Sequence, residues 1–383
     1  MAGGGGGFRA GSRKRLGALR DRVGPEPLGR SSLLVAAGFG VAAAIRIAYL
    51  VRFAGNYDVA AFADAADILR RGGDLYLETA RYNYSPVFAY TLLGLSRLGD
   101  ALGVSLAHLL GALLLAADAA TAALVSRMAG GGRRGAAAAL IFFANPVSVF
   151  VSSFHLQFDG LAILALLAAV HAAERRPGSG RIPLWLSVSL LVKHIAAFFP
   201  PLFLRSRRRG GIGLAAAAVP YALFAASFLP FWRQWSGIRS HVLEYRSLAE
   251  DYGVGMLRNF AGLPRWLPTA VFLAAVLAAL VLLRGVPLRR SCLLLFLVAL
   301  IFAPGICEYY FVWPVALGAL TGGAGYLIYT VTVSAFFLGS PDGLNLPLHH
   351  LPGWHGIWWS LVLWLALELR ALRRPAGAAE DAT

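Results

Sequence analysis

The sequence predicts an all-α polytopic membrane protein, and three observations carry that prediction. Of 383 residues, 58% are hydrophobic and only 14% charged, with a mean hydropathy of +0.65; soluble domains have roughly 45–50% apolar and about 25% charged residues. Apolar stretches such as Leu106–Val125, Leu267–Leu283 and Ile357–Leu369 approach or reach the roughly 20 helical residues needed to cross a hydrocarbon core of about 30 Å. The arginines behind a formal charge of +16 concentrate in short loops between apolar runs, the pattern that sets membrane topology.

Composition also excludes several classes. The basic charge is spread over inter-span loops, with no soluble module carrying a basic face and interleaved aromatics, so nucleic acid is not an expected partner. Cys292 and Cys307 have neither disulfide-framework nor CxxC spacing. Buried packing is the expectation for both. The Ala/Gly/Arg bias fits a GC-rich bacterial genome, and hence a bacterial plasma (inner) membrane.

Residues 1–30 combine the glycine run Gly3–Gly7 with Arg9, Arg13, Lys14, Arg15, Arg20 and Arg22 and lack the apolar core of a signal peptide. They read as a flexible cytoplasmic tail, with Ser31–Phe53 the first span. Residues 54–103 then fall outside, the longest stretch without a convincing span. Within it, Val59, Phe62, Ala66 and Leu69 recur at helical spacing among Asp64, Asp67, Arg70 and Arg71, which predicts an amphipathic helix over Asp58–Arg71 lying on the membrane surface. Pro86–Leu98 reads as a second interfacial piece or a short span. Ala107–Val125 returns inward, Ala136–Ser152 goes out, and Leu161–Ala173 comes back to a basic loop. Ile182–Leu204 lies between two basic loops and contains Lys193, His194 and Pro200–Pro201; a broken or re-entrant pair resolves that conflict. Ile212–Phe231 leads to a second outer loop, 232–265, Trp266–Leu283 returns, and four shorter spans alternate to a basic tail, 375–383. Residues 31–374 thus form one membrane domain with about ten to twelve spans.

Polar groups at the outer face supply the candidate chemistry. Asp58 follows Asn56-Tyr57 at the start of the amphipathic helix, where an aspartate is first of all a helix cap. Asp74–Pro86 adds Tyr76, Glu78, Arg81, Tyr82, Asn83 and Tyr84. These side chains either form an aromatic belt or line a site for a polar ligand whose lipid tail lies in the bilayer, such as a sugar phosphate on a polyprenol. After Asn145-Pro146 come Ser152, Ser153, His155, Gln157 and Asp159, at spacings that match no zinc motif. Lys193 and His194 interrupt an apolar run, where a cation is a site candidate by default, for instance for a lipid phosphate; snorkelling to the interface is the other reading. Arg46 is a further polar group near membrane depth, Arg52 reads as snorkelling, and Glu308 lies between Pro304 and Pro314, placed either to pack or to face the same outer cavity.

Three segments, Asn56–Phe88 (NYDVAAFADAADILRRGGDLYLETARYNYSPVF), Asn145–Gly160 (NPVSVFVSSFHLQFDG) and Lys193–Phe203 (KHIAAFFPPLF), together resemble the integral-membrane glycosyltransferases of the GT-C superfamily. They are most similar to mannosyltransferases that use polyprenyl-phosphate-mannose, including the first mannosyltransferase of the glycosylphosphatidylinositol pathway. EYYFVWP at Glu308–Pro314 is similar to a motif of bacterial relatives, whereas HLQFDG also looks like a motif of lipid-phosphate-glucose-dependent glucosyltransferases. The resemblance implies a GT-C-type helical bundle whose long first extracytoplasmic loop carries the catalytic carboxylate, which maps to Asp58. Asn56 stands where the family often has a second acid, so neither a two-carboxylate role nor a metal tied to it is indicated, and no cofactor is expected. The implied reaction is an inverting transfer of a hexose from a polyprenyl-phosphate-sugar donor to a lipid or glycan acceptor. Lys193, His194 and Arg81 would hold the donor phosphate, and Tyr82, Tyr84, Asn56, His155, Gln157, Asp159 and Glu308 would bind substrate. A flippase for lipid-linked sugars and a non-catalytic assembly subunit are the rival readings.

Overall fold

The structure, a computed structural model, describes residues 30–53, 55–205, 211–245, 252–260, 262–340, 343–347 and 353–373. The expected basic tails at 1–30 (save Arg30) and 375–383 lie outside these residues, as do parts of the connections at 205–209, 232–265 and 340–355. Among the described residues there is no β-strand, and the chain is an all-α polytopic membrane protein.

The first helix, α1 (Arg30–Val51), is 22 residues long and almost wholly apolar. The amphipathic segment follows as α2 (Tyr57–Arg70), capped by Asn56. It buries Val59, Ala61, Phe62, Ala65, Ala66 and Ile68 and exposes Asp64, Asp67 and Arg70, so the expected amphipathic face is present. A single turn, α3 (Leu75–Glu78), leads to α4 (Pro86–Leu102). Proline at its first position and Gly103 in the left-handed region just beyond its end suit both termini. α4 packs against α2 and is pinned to it by Arg70–Asp100 at 2.9 Å.

α5 (Leu106–Met128) is a full-length span. The next expected crossing is broken: α6 (Gly132–Phe143) and α7 (Pro146–Val149), which continues as a wide turn over Phe150–Phe154, meet at 51°. Proline removes an N–H and disfavours a helical residue before it; Asn145 turns the interruption into a cap, accepting from Val147 N–H at 2.9 Å. α8 (Asp159–Arg175) and α9 (Arg181–Val192) pack closely together. The expected break within Ile182–Leu204 falls at Lys193, whose backbone is extended, and short 3-10 turns follow at His194–Phe198 and Pro200–Arg205.

α10 (Gly211–Ser227) and the segment from Leu229 to Leu243, which includes the short α11 (Trp235–Ile238), meet at 57°. Beyond lie α12 (Leu267–Leu282), α13 (Leu288–Ile301), α14 (Val315–Thr321), α15 (Ala324–Gly339) and α16 (Trp354–Arg373). Among the described residues, three helices are long and apolar enough to cross a membrane, at Ser32–Val51, Leu106–Met128 and Leu267–Gly285, and up to five if each bent pair is one span. The ten to twelve spans expected from the sequence also counted α8, α9 and α13–α16, which are shorter than, or more polar than, a full crossing requires.

Two apolar clusters hold the molecule. The larger joins α5–α9 to α13–α16 around Phe199, Phe296, Phe311 and Trp364. The smaller fastens α2–α4 to the bundle through Phe62, Tyr76, Tyr82, Phe88, Phe158, Phe228 and Phe231. α11 comes so close to α3 that a Cβ on Gly237 would lie 1.8 Å from the Tyr76 carbonyl oxygen, so only glycine fits there.

Candidate active site

The first turn of α2 sorts its two short polar side chains. Asn56 Oδ1 accepts from Val59 N–H at 2.8 Å, and Asn56 Nδ2 donates to the His155 carbonyl at 2.8 Å. The cap that the sequence reading gave to Asp58 therefore belongs to Asn56, two residues earlier, because only the residue preceding the helix can turn its side chain back onto the free N–H groups. Asp58 is left to face the segment after α7, where Gln157 Nε2 donates to its Oδ2 at 2.5 Å.

That segment has unusual backbone. After the wide turn over Phe150–Phe154, Leu156 adopts φ 55° although it is a fully buried leucine. A bulky residue in the left-handed region is a strained outlier held by its surroundings, and both features recur at functional sites. Here the reversal places His155 and Gln157 on either side of Leu156, with both reaching α2.

Asp58, Asn56 and His155 line a cavity of about 560 Å³ with Glu308, Arg52, Tyr49 and Tyr57. Glu308 thus reaches the same cavity as Asp58 from a segment 250 residues away in sequence. Arg52 is exposed at its margin. Burial raises the Asp58 carboxyl above the usual aspartate range; the Asp159 charge adds to that, while Lys193, Arg81 and the Gln157 amide oppose it.

Lys193 is buried in an ion pair with Asp159, Nζ to Oδ2 at 2.5 Å, and the other Asp159 oxygen accepts from Trp313 Nε1 at 2.6 Å. The rings of Tyr84, Phe158, Tyr309 and Tyr310 surround the ammonium at 4.6–5.6 Å. Snorkelling is therefore overturned for Lys193, because an anion and four π faces satisfy it in place. Asp159, expected to bind substrate, has both oxygens committed. Arg81, expected at the donor phosphate, pairs with Asp64 at 2.7 Å, donates to the Tyr57 carbonyl at 2.7 Å and stacks over the Tyr57 ring. His194 lies against Tyr84 with Nδ1 buried and unpartnered. Tyr82 is fully buried with its hydroxyl on the Ser85 carbonyl at 2.8 Å, a packing position that leaves no surface for a substrate. Tyr84 is buried beside Lys193.

Two features escaped the sequence reading. Arg46 was noted as a polar group near membrane depth but its partners were not: it is buried within α1 and meets Asp118 of α5 at 2.5 Å, the Phe143 carbonyl at 2.9 Å, Ser148 at 2.8 Å and Ser152 at 2.7 Å. One opposite charge in each of two apolar spans was the signal that would have found the pair. A second cavity of about 730 Å³ involves Tyr245, Arg258 and Tyr310, and nothing in the spacing of those residues announces it. Among the described residues no group of three or more His, Cys, Asp or Glu side chains is placed to hold a metal ion.

A family model described as Glycosyltransferase family 87 matches residues 82–306, more than half of the chain. The matched segment includes His155, Gln157, Asp159, Lys193 and His194 and begins after Asp58 and Arg81. No curated protein matches the chain.

Proposed function

The chain belongs to glycosyltransferase family 87, and from that premise we propose that it moves a hexose, mannose before glucose, from a polyprenyl-phosphate carrier to a lipid- or glycan-linked acceptor, with inversion, at the extracytoplasmic face of a bacterial plasma membrane. Membership makes it a membrane glycosyltransferase; the sugar, the carrier and the face are our reading. One observation supports it above the others: Asp58 is released from capping by Asn56 and turned toward a cavity shared with His155 and Glu308.

In that cavity Asp58 takes the proton of the acceptor hydroxyl as its oxygen attacks the anomeric carbon. The bond between that carbon and the phosphate oxygen breaks, and its electron pair leaves on the lipid phosphate. General-base assistance of this kind contributes roughly 10²–10⁴-fold, and one carboxylate suffices because no covalent intermediate forms. A raised pKa suits the task, since a base is most effective when it lies nearer the working pH. Gln157 orients the carboxylate, Glu308 and His155 offer partners to acceptor hydroxyls, and the Lys193 charge acts on the site through space because its ammonium is already paired.

The test uses the purified full-length protein, radiolabelled polyprenyl-phosphate-mannose or polyprenyl-phosphate-glucose, and extracted native lipids as acceptor. Asp58→Asn, which keeps the shape and the Gln157 contact, should lower transfer by at least about 100-fold. Full activity in that variant removes Asp58 as base, and movement of the intact carrier between leaflets without transfer makes the protein a flippase.

A further inference from the structure

Where α8 ends, the arginines fall into two groups. Arg289 pairs with Glu174 at 2.6 Å, and Arg290 pairs with Glu368 at 2.9 Å. Arg175, Arg176 and Arg181 have no ion pair among the described residues, yet all three line one cavity of about 390 Å³ with His171, Ser179 and Trp185. Among the described residues no carboxylate lines that cavity, and Glu174, the acid next to Arg175 in sequence, is already taken by Arg289. Membrane topology asks for basic residues in such a connection, but it does not ask that three of them share one concavity. Like charges held together repel, and Arg181 opens α9, where the helix dipole disfavours a cation. An anion in the cavity relieves both.

The surroundings of the cavity place it at a membrane boundary. Its apolar lining is Leu124 of α5 with Ala168 and Ala172 of α8, and α5, a membrane-crossing helix, ends at Met128, one turn beyond Leu124. Trp185 is 37% exposed and Leu184 55% exposed, one helical turn from Arg181. An outward tryptophan and leucine so close to an arginine mark the depth at which acyl chains give way to headgroups.

The cavity is remote from the candidate active site. α8 begins with Asp159, the partner of Lys193, and ends with Arg175, so at 1.5 Å per residue about 24 Å of helix separates the two. A ligand held by Arg175 does not reach Asp58 or Lys193, and the site does not rest on the function proposed above.

We propose that Arg175, Arg176 and Arg181 bind the headgroup phosphodiester of an anionic phospholipid, with Trp185 against its glycerol and first acyl carbons. Guanidiniums meet phosphate oxygens with pairs of parallel N–H donors, and basic pockets between membrane helices are headgroup sites. Ser179 Oγ accepts from Arg181 N–H at 3.2 Å, which leaves its hydroxyl proton for a phosphate oxygen. The apolar neighbours select a lipid over a free phosphate, because an ion from solution gains nothing from Trp185 and Leu184. The bound lipid ties α5, α8 and α9 together at this end of the bundle.

The probe is dioleoyl-phosphatidylglycerol, titrated onto the delipidated full-length protein in detergent and counted by native mass spectrometry, with dioleoyl-phosphatidylcholine as the zwitterionic control. The wild type should hold phosphatidylglycerol in preference, at a saturable site. Arg175→Gln, Arg176→Gln and Arg181→Gln combined should weaken that site by about tenfold or more, the loss expected for charge-assisted hydrogen bonds. Ser179→Asp keeps an acceptor for the Arg181 N–H and adds a negative charge, so it should act in the same direction and decides the matter if the triple variant fails to fold. Arg133→Gln with Arg134→Gln, in a neighbouring basic loop outside the cavity, should leave the affinity unchanged. Equal retention of the two lipids, or wild-type affinity in both the triple variant and Ser179→Asp, overturns the site. An equal loss in the Arg133 and Arg134 variant reduces it to general positive charge, and displacement of the lipid by millimolar inorganic phosphate makes it a site for a free anion; either result also overturns the proposal.

Discussion

Asp58 and Asp159 show how environment gives two aspartates different tasks. Asp159 is saturated by Lys193 and Trp313, a buried ion whose removal would strand its partner. Asp58 has one side-chain hydrogen bond, from Gln157, beside open volume. Burial lifts its pKa above the ordinary range, and a general base works only when ionised. The acid limb of kcat/KM should therefore lie above the roughly 3.9 of a free aspartate, with activity lost as pH falls through it. The Gln157 amide favours the ionised form, so Gln157→Met should move that limb to higher pH. A limb at or below the free value, or one indifferent to Gln157→Met, would contradict this assignment. Residue roles were legible only in part. The intramembrane Lys193 stood out because charge is rare in apolar sequence, whereas Asp58 was singled out by the family resemblance and, from its residues alone, read as a cap. Asn56 and Asp58 are both good caps, however, and only backbone geometry decides between them. The partner of Lys193 lies 34 residues away, a separation that periodicity does not reach.

At the scale of elements, the active-site strand of contacts depends on a break. α6 and α7 meet at 51°, and Arg46 of α1 fills the junction, binding the Phe143 carbonyl on one side and Ser148 and Ser152 on the other, with Asp118 of α5 neutralising it. Three turns of chain later come Leu156 in its left-handed conformation and Gln157 against Asp58. Apolar periodicity marked a single span over Ala136–Ser152 because it registers hydrophobicity and not the polar clamp that stabilises a bend. Breaking a buried pair by removing one partner typically costs about 3–5 kcal/mol, whereas replacing both by apolar groups is often nearly neutral. Arg46→Met should therefore destabilise the protein strongly and Arg46→Met with Asp118→Leu much less, as measured by thermal unfolding in detergent. If the double variant is as unstable as the single one, the cost lies in the bend itself and not in the stranded Asp118 charge.

For the whole molecule, the all-α membrane class followed from composition, apolar run length and the arginine pattern, and the amphipathic α2 from its 3.6-residue period, because burial against lipid or core is written locally in the sequence. The arrangement of the shorter helices was not, since α8, α9 and α13–α15 are too short to separate a crossing from a core helix by length, and 3-10 turns after Lys193 carry no periodic signature. Charge gives the remaining global constraint. Basic residues flank α5, α8 and α9 at Arg127, Arg175, Arg176 and Arg181, while the exposed face of α2 mixes Asp64 and Asp67 with Arg70. On the proposed extracytoplasmic reading, the positive-inside rule predicts the first group in the cytoplasm and α2 with the Asp58 cavity across the membrane from it. Both native cysteines are buried, so single exposed cysteines can report topology in an otherwise unaltered chain. Asp67→Cys should react with a membrane-impermeant maleimide added to intact spheroplasts, and Arg127→Cys and Arg176→Cys only after permeabilisation. Labelling of Arg176→Cys in intact spheroplasts would put the α8–α9 connection and the Asp58 cavity on one side of the bilayer, and an extracytoplasmic reaction would lose its topological basis.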